Sequence, residues 1–500
     1  MYFSFVQIQL FFGDRYMNCD MNIARNVSLM ADFYEFAMVN GFLENEIEDK
    51  IVYFDMFFRK VPDKGGFAIM AGLGTLIEYL KSLRFSEEDI EYLREQRIFG
   101  ESFFKYLKNL KFSCDMWAVE EGMPIFPGEP ILVIRGPVSQ VQLIETLILF
   151  TINHQSLIAT KANRMVRAAN GRDVFEFGSR RAMGADSAIF GARAAFIGGC
   201  SGTSLTEAGR RFSIPVFGTM AHSWVQLFDN EYDAFKSYAN AYPDKCMLVL
   251  DTYNTLESGI KNAIKVFKKE ILPKGFRPFG VRIDSGDITY LSKKIRNLLD
   301  EEGFKDCKIC ASNSLDEYII RDMLIQGAEI DSFGVGEKLI TASSDPIFGG
   351  VYKLCAVEDD GKIVSKIKIS ENISKITTPG FKTVWRLYDS LSKKAMADVI
   401  TFKDENIDES KSFEIFDQHC TWKRKTIKNF YKEKILKRVL KTGKVCYNVP
   451  ELIDIKKGCM LKVCSLWDEV KRFENPHQYY VDLSKKLWKE KNKLISKNKF

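Results

Sequence analysis

The sequence predicts an α/β protein built around a parallel α/β barrel, with a second, mixed module ahead of it. Three observations carry that expectation. From about residue 155, short apolar runs recur every 20 to 40 residues or so; this is the rhythm of βα units, and about seven in succession suggest a barrel. Polar residues follow these runs in a constant register, which in a parallel barrel puts them on the one face where such barrels do their chemistry. Residues 22 to about 150 instead mix helical and strand periods, as an α+β module does.

Within the first module, "NVSLMADFYEFAMVNGF" spaces its apolar residues as a helix, with Gly41 a natural stop, and "EEDIEYLREQRIF" reads as another helix. "MWAVEEGMPIFPGEPILVIRGP" (116–137) is punctuated by Gly122, Pro124, Pro127, Gly128 and Pro130, so it reads as short antiparallel strands. The barrel runs are "DVFEF" (173–177), "IPVFG" (214–218), "CMLVL" (246–250), "FGVRI" (279–283), "CKICA" (307–311), "EIDSFGV" (329–335) and "GVYKL" (350–354). Arg180 and Arg181 follow the first, His222 the second, Asp251 the third and Asp284 the fourth; Ser312 and Asn313 follow the fifth, and Gly334 and Gly336 end the sixth. Expected boundaries are an extension over 1–21, a first module over 22–150, the barrel over 151–358, a returning region over 359–484 and a basic tail over 485–500.

Composition excludes several classes. The net charge of +6 is carried by the tail, whose seven lysines face one glutamate, so the rest is near neutral and a nucleic-acid-binding role is not indicated. A solvated terminal helix accounts for the tail. Eleven scattered cysteines fit a reducing compartment, and Cys307 and Cys310, three apart on a strand, would face opposite sides rather than share a metal. The apolar start "MYFSFVQIQLFF" is too short to span a bilayer and has no basic region before it; Met17 or Met21 could equally begin the chain. A cytoplasmic protein without a membrane partner is expected.

His222, one of four histidines, lies in "GTMAHSW", a loop of small residues suited to a nucleophile, a general base or a structural histidine. Asp251, one strand along, could fix its tautomer. In "GVRIDSGD", Arg282 and Asp284 lie two apart on one strand face, and Asp284 beside Ser285 suits a ribose diol. Gly334 and Gly336 could let backbone N–H groups approach a phosphate, although the spacing to Lys338 is not that of a Walker loop. Phe177 with Arg180 offers an aromatic face and a guanidinium fork, fit for a flat aromatic carboxylate. A core phenylalanine and a surface ion pair would read the same way.

Together these motifs resemble the nicotinate phosphoribosyltransferase family. "MADFYEFAMVNGF", "FFRKVPDKGGFAIMAGL", "INHQSLIATKANRMVRAA", "FEFGSRRAMGADSAIFGARAAFIGGCSGTS", "GTMAHSW", "GVRIDSGD", "DSFGVGEKL", "GGVYKL", "GKVCYNVP" and "RFENPHQYYVDLS" carry the resemblance over roughly 24–490. It implies an irregular, type II phosphoribosyltransferase-like barrel and an α/β sandwich built from both chain ends, paired in a homodimer with active sites at the interface. It further implies nicotinate, phosphoribosyl pyrophosphate and ATP as ligands, with Mg²⁺. His222 matches the histidine that ATP phosphorylates, Asp251 its supporting carboxylate, Asp284 the ribose aspartate and Arg282 the arginine beside the base. Phe177 and, from the other subunit, Tyr34 match the stacking pair; Arg180 matches the arginine that holds the base's carboxylate. Ser312, Asn313, Gly334 and Gly336 complete the substrate contacts.

Two stretches depart from the family pattern: "VPDKGGF", beside Arg59 near the substrate phosphates, and "GADSA". Ser204 in "CSGTS" bears on the alternatives. Nicotinamide-using relatives carry an aspartate there, which would repel a carboxylate where serine does not. Quinolinate enzymes are shorter and lack the histidine loop. A catalytically silent homologue would be expected to have lost His222, Asp284 or Arg180, and all three are present.

Overall fold

In the computed structural model of the chain, residues 26–497 are described. The apolar start, Met17, Met21 and the last three residues of the basic tail lie outside them.

Strands between residues 173 and 335 form a wholly parallel six-stranded sheet, in the order Gly202–Thr203, Asp173–Glu176, Ser332–Val335, Lys308–Ser312, Gly280–Ile283, Met247–Val249. A single parallel bridge from Thr203 to Val216 lengthens it. This is the wall of the irregular α/β barrel. Val281, Ile283, Ile309, Ala311, Phe333 and Val335 are all fully buried. Both faces of such a wall are covered, which is why these strands read as continuous apolar runs rather than alternating ones.

Two runs behave differently from the expectation. "GVYKL" does not join the barrel: Gly350–Asp359 pairs antiparallel with Ile51–Phe58, placing Tyr352 opposite Met56. The run at 214–218 supplies only the Val216 bridge, and the two-residue strand Gly202–Thr203 takes a place in the wall. An apolar run states that it is buried, not which sheet buries it.

The other large sheet is antiparallel and has seven strands, in the order Lys362–Ser365, Gly350–Asp359, Ile51–Phe58, Leu132–Pro137, Asp115–Val119, Leu436–Lys441, Lys444–Val445. It draws strands from both ends of the chain, so neither end could complete it alone. A four-stranded sheet of Phe430–Lys434, Lys382–Asp389, Ala395–Phe402 and Val481–Leu483 follows. The first helix, Phe33–Glu44, runs through Gly41, where a Cβ would meet nothing, and stops three residues later.

The helix Glu145–Ala168 links the first module to the barrel; its 24 residues span about 36 Å. It carries two buried cations. Lys161 Nζ lies 2.9 Å from Asp63 Oδ2 and 2.9 Å from Glu317 Oε2, and Arg164 Nε donates to Glu317 Oε1 at 2.6 Å. Charges this deep persist only when paired, and removing one partner typically costs about 3–5 kcal/mol. The cluster thereby pins the "VPDKGG" loop, through Asp63, to the barrel helix Glu317–Ile325. The C-terminal helix Lys485–Lys497 is not merely a solvated tail, because it buries Leu487 and Lys491. Cys307 and Cys310 are both buried free thiols, and burial pushes Cys307 up to about 12, which leaves it unreactive.

Candidate active site

Parallel pairing aligns the carboxyl ends of the six strands along one edge, and the polar residues found by register gather there. Arg282 is the hub. Its Nε donates to Ser312 Oγ at 2.9 Å and its Nη1 to Thr219 Oγ1 at 3.0 Å, while Nη2 lies 3.0 Å from Asp284 Oδ1. Ser312 in turn donates to Asp284 Oδ1. Burial would push the Asp284 carboxyl up, but the Ser312 bond, the Arg282 guanidinium and nearby His222 outweigh it and hold it below the usual range. Asp284 is therefore an ionised acceptor at neutral pH, with its second oxygen facing His222.

His222 opens the short helix His222–Gln226. Its Nδ1 lies 3.1 Å from Thr252 Oγ1 and its Nε2 lies 3.6 Å from Asp284 Oδ2. The expected Asp251–His222 hydrogen bond is absent. Asp251 Oδ2 instead accepts from the Asp284 backbone N–H at 3.0 Å and from Ser285 Oγ at 2.5 Å, while Oδ1 is buried without a hydrogen-bond partner. Asp251 braces the loop that carries Asp284, and Thr252, one residue on, reaches the imidazole.

Phe177 leaves its strand with its N–H on Val335 O at 2.6 Å. Its ring lies within 5° of parallel to Phe217 at 6.2 Å, and Phe217 stacks on Phe175 at 4.3 Å. Gly334 makes room for this ring: a Cβ there would come within 2.5 Å of Phe177 Cδ2. It is also a ladder residue, opposite Ser312 on one side and Phe175 on the other, so in this chain its missing side chain serves aromatic packing. Gly336 follows the strand and precedes the single turn Glu337–Ile340. Buried Glu176 accepts from the Gly178 N–H and, at 2.6 Å, from Thr203 Oγ1, tying the Arg180 turn to the neighbouring strand. Arg180 itself is exposed in the turn Ser179–Arg181. Ser204 stands exposed one residue past Thr203, its N–H on Glu176 O at 2.9 Å.

Asn313, exposed just past Ser312, has φ 99°, and Ser314 has φ 44°. Two successive positive-φ residues other than glycine are costly backbone, of the kind found where a strand end must present groups to a ligand. Two expected site residues lie elsewhere within the chain. Tyr34 is on the helix Phe33–Glu44, which packs on Glu101–Lys108 and Val138–Leu143, and Arg59 closes the strand Ile51–Phe58 beside Lys382. Thr219, Thr252, Phe217 and Glu176 were not singled out from the sequence. Thr252 carried a usable signal, since it stands directly after Asp251, two residues past the third run.

Comparison with known proteins bears on this geometry. Three sequence profiles match in tandem: the nicotinate phosphoribosyltransferase N-terminal domain over 29–153, the nicotinate phosphoribosyltransferase family over 173–383, and the C-terminal domain over 381–491. The nicotinate phosphoribosyltransferase of Bacillus subtilis is 43% identical over 470 residues, covering 94% of this chain and 95% of that protein. The chain belongs to the nicotinate phosphoribosyltransferase family. Family membership fixes the enzyme class and places the chain in NAD salvage. The crystal structure of human nicotinic acid phosphoribosyltransferase superposes with a TM-score of 0.81 at 27% identity, covering 93% of this chain and 99% of that one. A nicotinate-nucleotide pyrophosphorylase from Pyrococcus furiosus shares the fold, with a TM-score of 0.68 at 22% identity over 91% of this chain and 99% of its own. Among the described residues no helix is long and apolar enough to cross a membrane.

Proposed function

We propose that this member of the family transfers the phosphoribosyl group of 5-phosphoribosyl 1-pyrophosphate to nicotinate, giving nicotinate mononucleotide and pyrophosphate, and couples the transfer to ATP hydrolysis through a phosphohistidine at His222. The supporting observation is the network of His222, Asp284, Arg282 and Ser312 at adjacent strand ends.

Asp284, kept ionised, accepts from the ribose hydroxyls. The ring nitrogen of nicotinate attacks C1 of the sugar as the bond to pyrophosphate oxygen breaks. That nitrogen already holds a free lone pair, so no base is required and positioning dominates. Phe177 supplies a stacking face for the pyridine ring, Arg180 takes its carboxylate, and Ser204 leaves that charge unopposed. His222 is then free for a second role, in which its imidazole forms an N–P bond with the terminal phosphoryl of ATP as the bond to ADP breaks, and water later cleaves the product. Mg²⁺ fits the donor set as an ion arriving with the phosphates. Asp284 and the unpartnered buried Asp251 Oδ1 are hard oxygens, and no group of three metal-binding side chains occurs among the described residues. When bound it neutralises charge on the leaving pyrophosphate.

Tyr34 serves the neighbouring subunit's pocket in a homodimer. Phe33, Tyr34 and Met38 are large apolar residues exposed together on one helix, the kind of patch that marks an interface. Cytoplasmic residence is supported by the described cysteines, which are free thiols. The test is purified protein with phosphoribosyl pyrophosphate and Mg²⁺, offered nicotinate, nicotinamide or quinolinate, with and without ATP. Nicotinate should be preferred and ATP should raise product yield. In His222→Ala, ATP hydrolysis and phosphohistidine should vanish while slow ATP-independent transfer persists; unchanged ATPase activity in that variant would exclude the assignment.

A further inference from the structure

The helix Ala185–Ile197 follows the Arg180 turn, and its first turns close a cavity of about 340 Å³ against the helices Leu73–Lys81 and Glu145–Ala168. Three rings wall it. Tyr79 lies 6.4 Å from Phe150 and 6.3 Å from Phe190, tilted and edge-on rather than face to face. Two polar side chains of the long helix are already paired within the walls. Thr151 donates to Leu147 O at 2.7 Å, and Gln155 donates to Thr75 Oγ1 at 3.0 Å while its Oε1 accepts from Arg193 at 3.0 Å. That arginine is matched in turn by both oxygens of Glu121. His154 is the exception. Its imidazole lines the cavity, and neither ring nitrogen has a hydrogen-bond partner among the described residues.

Burial pulls that imidazole below its ordinary value, so at neutral pH it is uncharged and presents one N–H and one lone pair. A polar group taken from water without a partner costs stability, and a ligand that meets it recovers that cost on binding. Charge narrows the choice. Asp186 lines the cavity and, among the described residues, no lysine or arginine does, so an entering anion would meet a carboxylate and no counter-charge. An alkylammonium would suit Asp186 but has no acceptor for the imidazole N–H. A neutral nitrogen heterocycle with an N–H donor suits both groups, and its faces pack against the three rings. The volume sits at the lower end of the roughly 300–1,000 Å³ of small-molecule sites.

We propose that this cavity binds an uncharged nitrogen heterocycle bearing an N–H donor, with His154 and Asp186 as its polar contacts. Two sources share that chemistry, a pyridine carboxamide and the adenine ring of a nucleoside. Neither Phe177 nor Arg180 lines the cavity, so the site stands whatever base the barrel uses.

Nicotinamide, adenosine and nicotinate are each titrated calorimetrically into the full chain with the barrel site filled by saturating nicotinate mononucleotide. At least one neutral probe should bind, and nicotinate should bind roughly tenfold more weakly than the better of them, or not at all. Binding of nicotinamide alone would name the carboxamide as the source, binding of adenosine alone the adenine ring, and binding of both the shared chemistry. His154→Phe keeps a flat ring and removes both nitrogens, so affinity for the bound probe should fall about three- to tenfold, the loss of one neutral hydrogen bond. His154→Asn offers a donor and an acceptor again and should recover part of it. Because the imidazole has no partner to lose, the thermal melt of His154→Phe should not fall, which separates lost binding from lost folding. Asp186→Asn should narrow the gap between nicotinate and the neutral probe. No binding of either neutral probe to wild type, nicotinate binding as tightly as they do, or unchanged affinity in His154→Phe overturns the proposal.

Discussion

Thr252→Val isolates a contact that only the structure reveals. The Thr252 hydroxyl lies 3.1 Å from Nδ1 of His222, and valine keeps the side chain's shape while deleting that group. A net neutral hydrogen bond is worth about 0.5–1.5 kcal/mol, which at 1.4 kcal/mol per tenfold corresponds to a roughly two- to twelve-fold loss of rate. Thr252 is half-buried, so little penalty for a stranded polar partner is added; His222 can turn to water. The loss should fall on ATP hydrolysis and phosphohistidine formation and spare ATP-independent phosphoribosyl transfer, because the hydroxyl's bond is to the imidazole alone. Thr252→Ser should recover most of the rate. Asp251→Asn should behave differently. Asp251 braces the Asp284 backbone and Ser285, so its change should slow the ATP-independent transfer as well. The assay is steady-state ATPase activity alongside ATP-free product formation for each variant. Wild-type ATPase in Thr252→Val, or equal slowing of both activities, would refute the idea that Thr252 positions His222.

Arg180→Ala should lower kcat/KM for nicotinate by roughly one to two orders of magnitude, since a charge-assisted contact is worth about 1.5–3 kcal/mol. Ser204→Asp should shift the nicotinate-to-nicotinamide ratio of kcat/KM toward nicotinamide; an unchanged ratio would mean that this exposed serine does not read the base. If Tyr34 acts across a dimer, the impaired Tyr34→Ala and Arg180→Ala proteins should regain activity when mixed, above the sum of the two alone, and no recovery after confirmed subunit exchange would place both in one subunit's pocket. The last prediction concerns Glu35, whose Oε1 accepts from Thr146 N and Oγ1 while Oε2 is buried and unpartnered. Burial pushes its carboxyl from the ordinary 4.5 up to about 7. The folded protein therefore keeps a proton that the unfolded chain has already lost, so Glu35 costs stability progressively as pH rises from about 4.5 to 7, and fully above that. Glu35→Gln should melt with wild type near pH 4.5 and increasingly above it up to about pH 7; a pH-independent difference in Tm would contradict this.

Local pattern was enough to group most of the polar residues that gather at the strand ends. Strand ends in a parallel wall share an edge, so polar residues closing successive apolar runs, such as His222, Asp284 and Ser312, could be grouped without knowing the packing. The neighbouring Arg282 and Phe177 followed from the two-residue period of a strand and from the long motifs around them. Side-chain reach was not legible in the same way. Whether Asp251 or Thr252 meets His222 depends on how strand ends about 30 residues apart are offset and which rotamer fits between them, and no sequence spacing encodes that offset. The same limit moved "GVYKL" into the antiparallel sheet, because burial periodicity does not name a partner strand. It also hid why residue 334 is glycine, which is a matter of where the Phe177 ring comes to rest. Lys491 shows the strongest case. Its tail, read by composition, is a solvated basic helix, yet helical spacing aims one lysine inward, and only the meeting of that helix with Arg59 and Lys382, more than 100 residues apart from each other and from it, turns a surface charge into part of a cavity. The sequence determined which residues can do chemistry and on which edge of the wall most of them stand; long-range packing decided which of them touch, since contact energies between distant segments are set by three-dimensional fit.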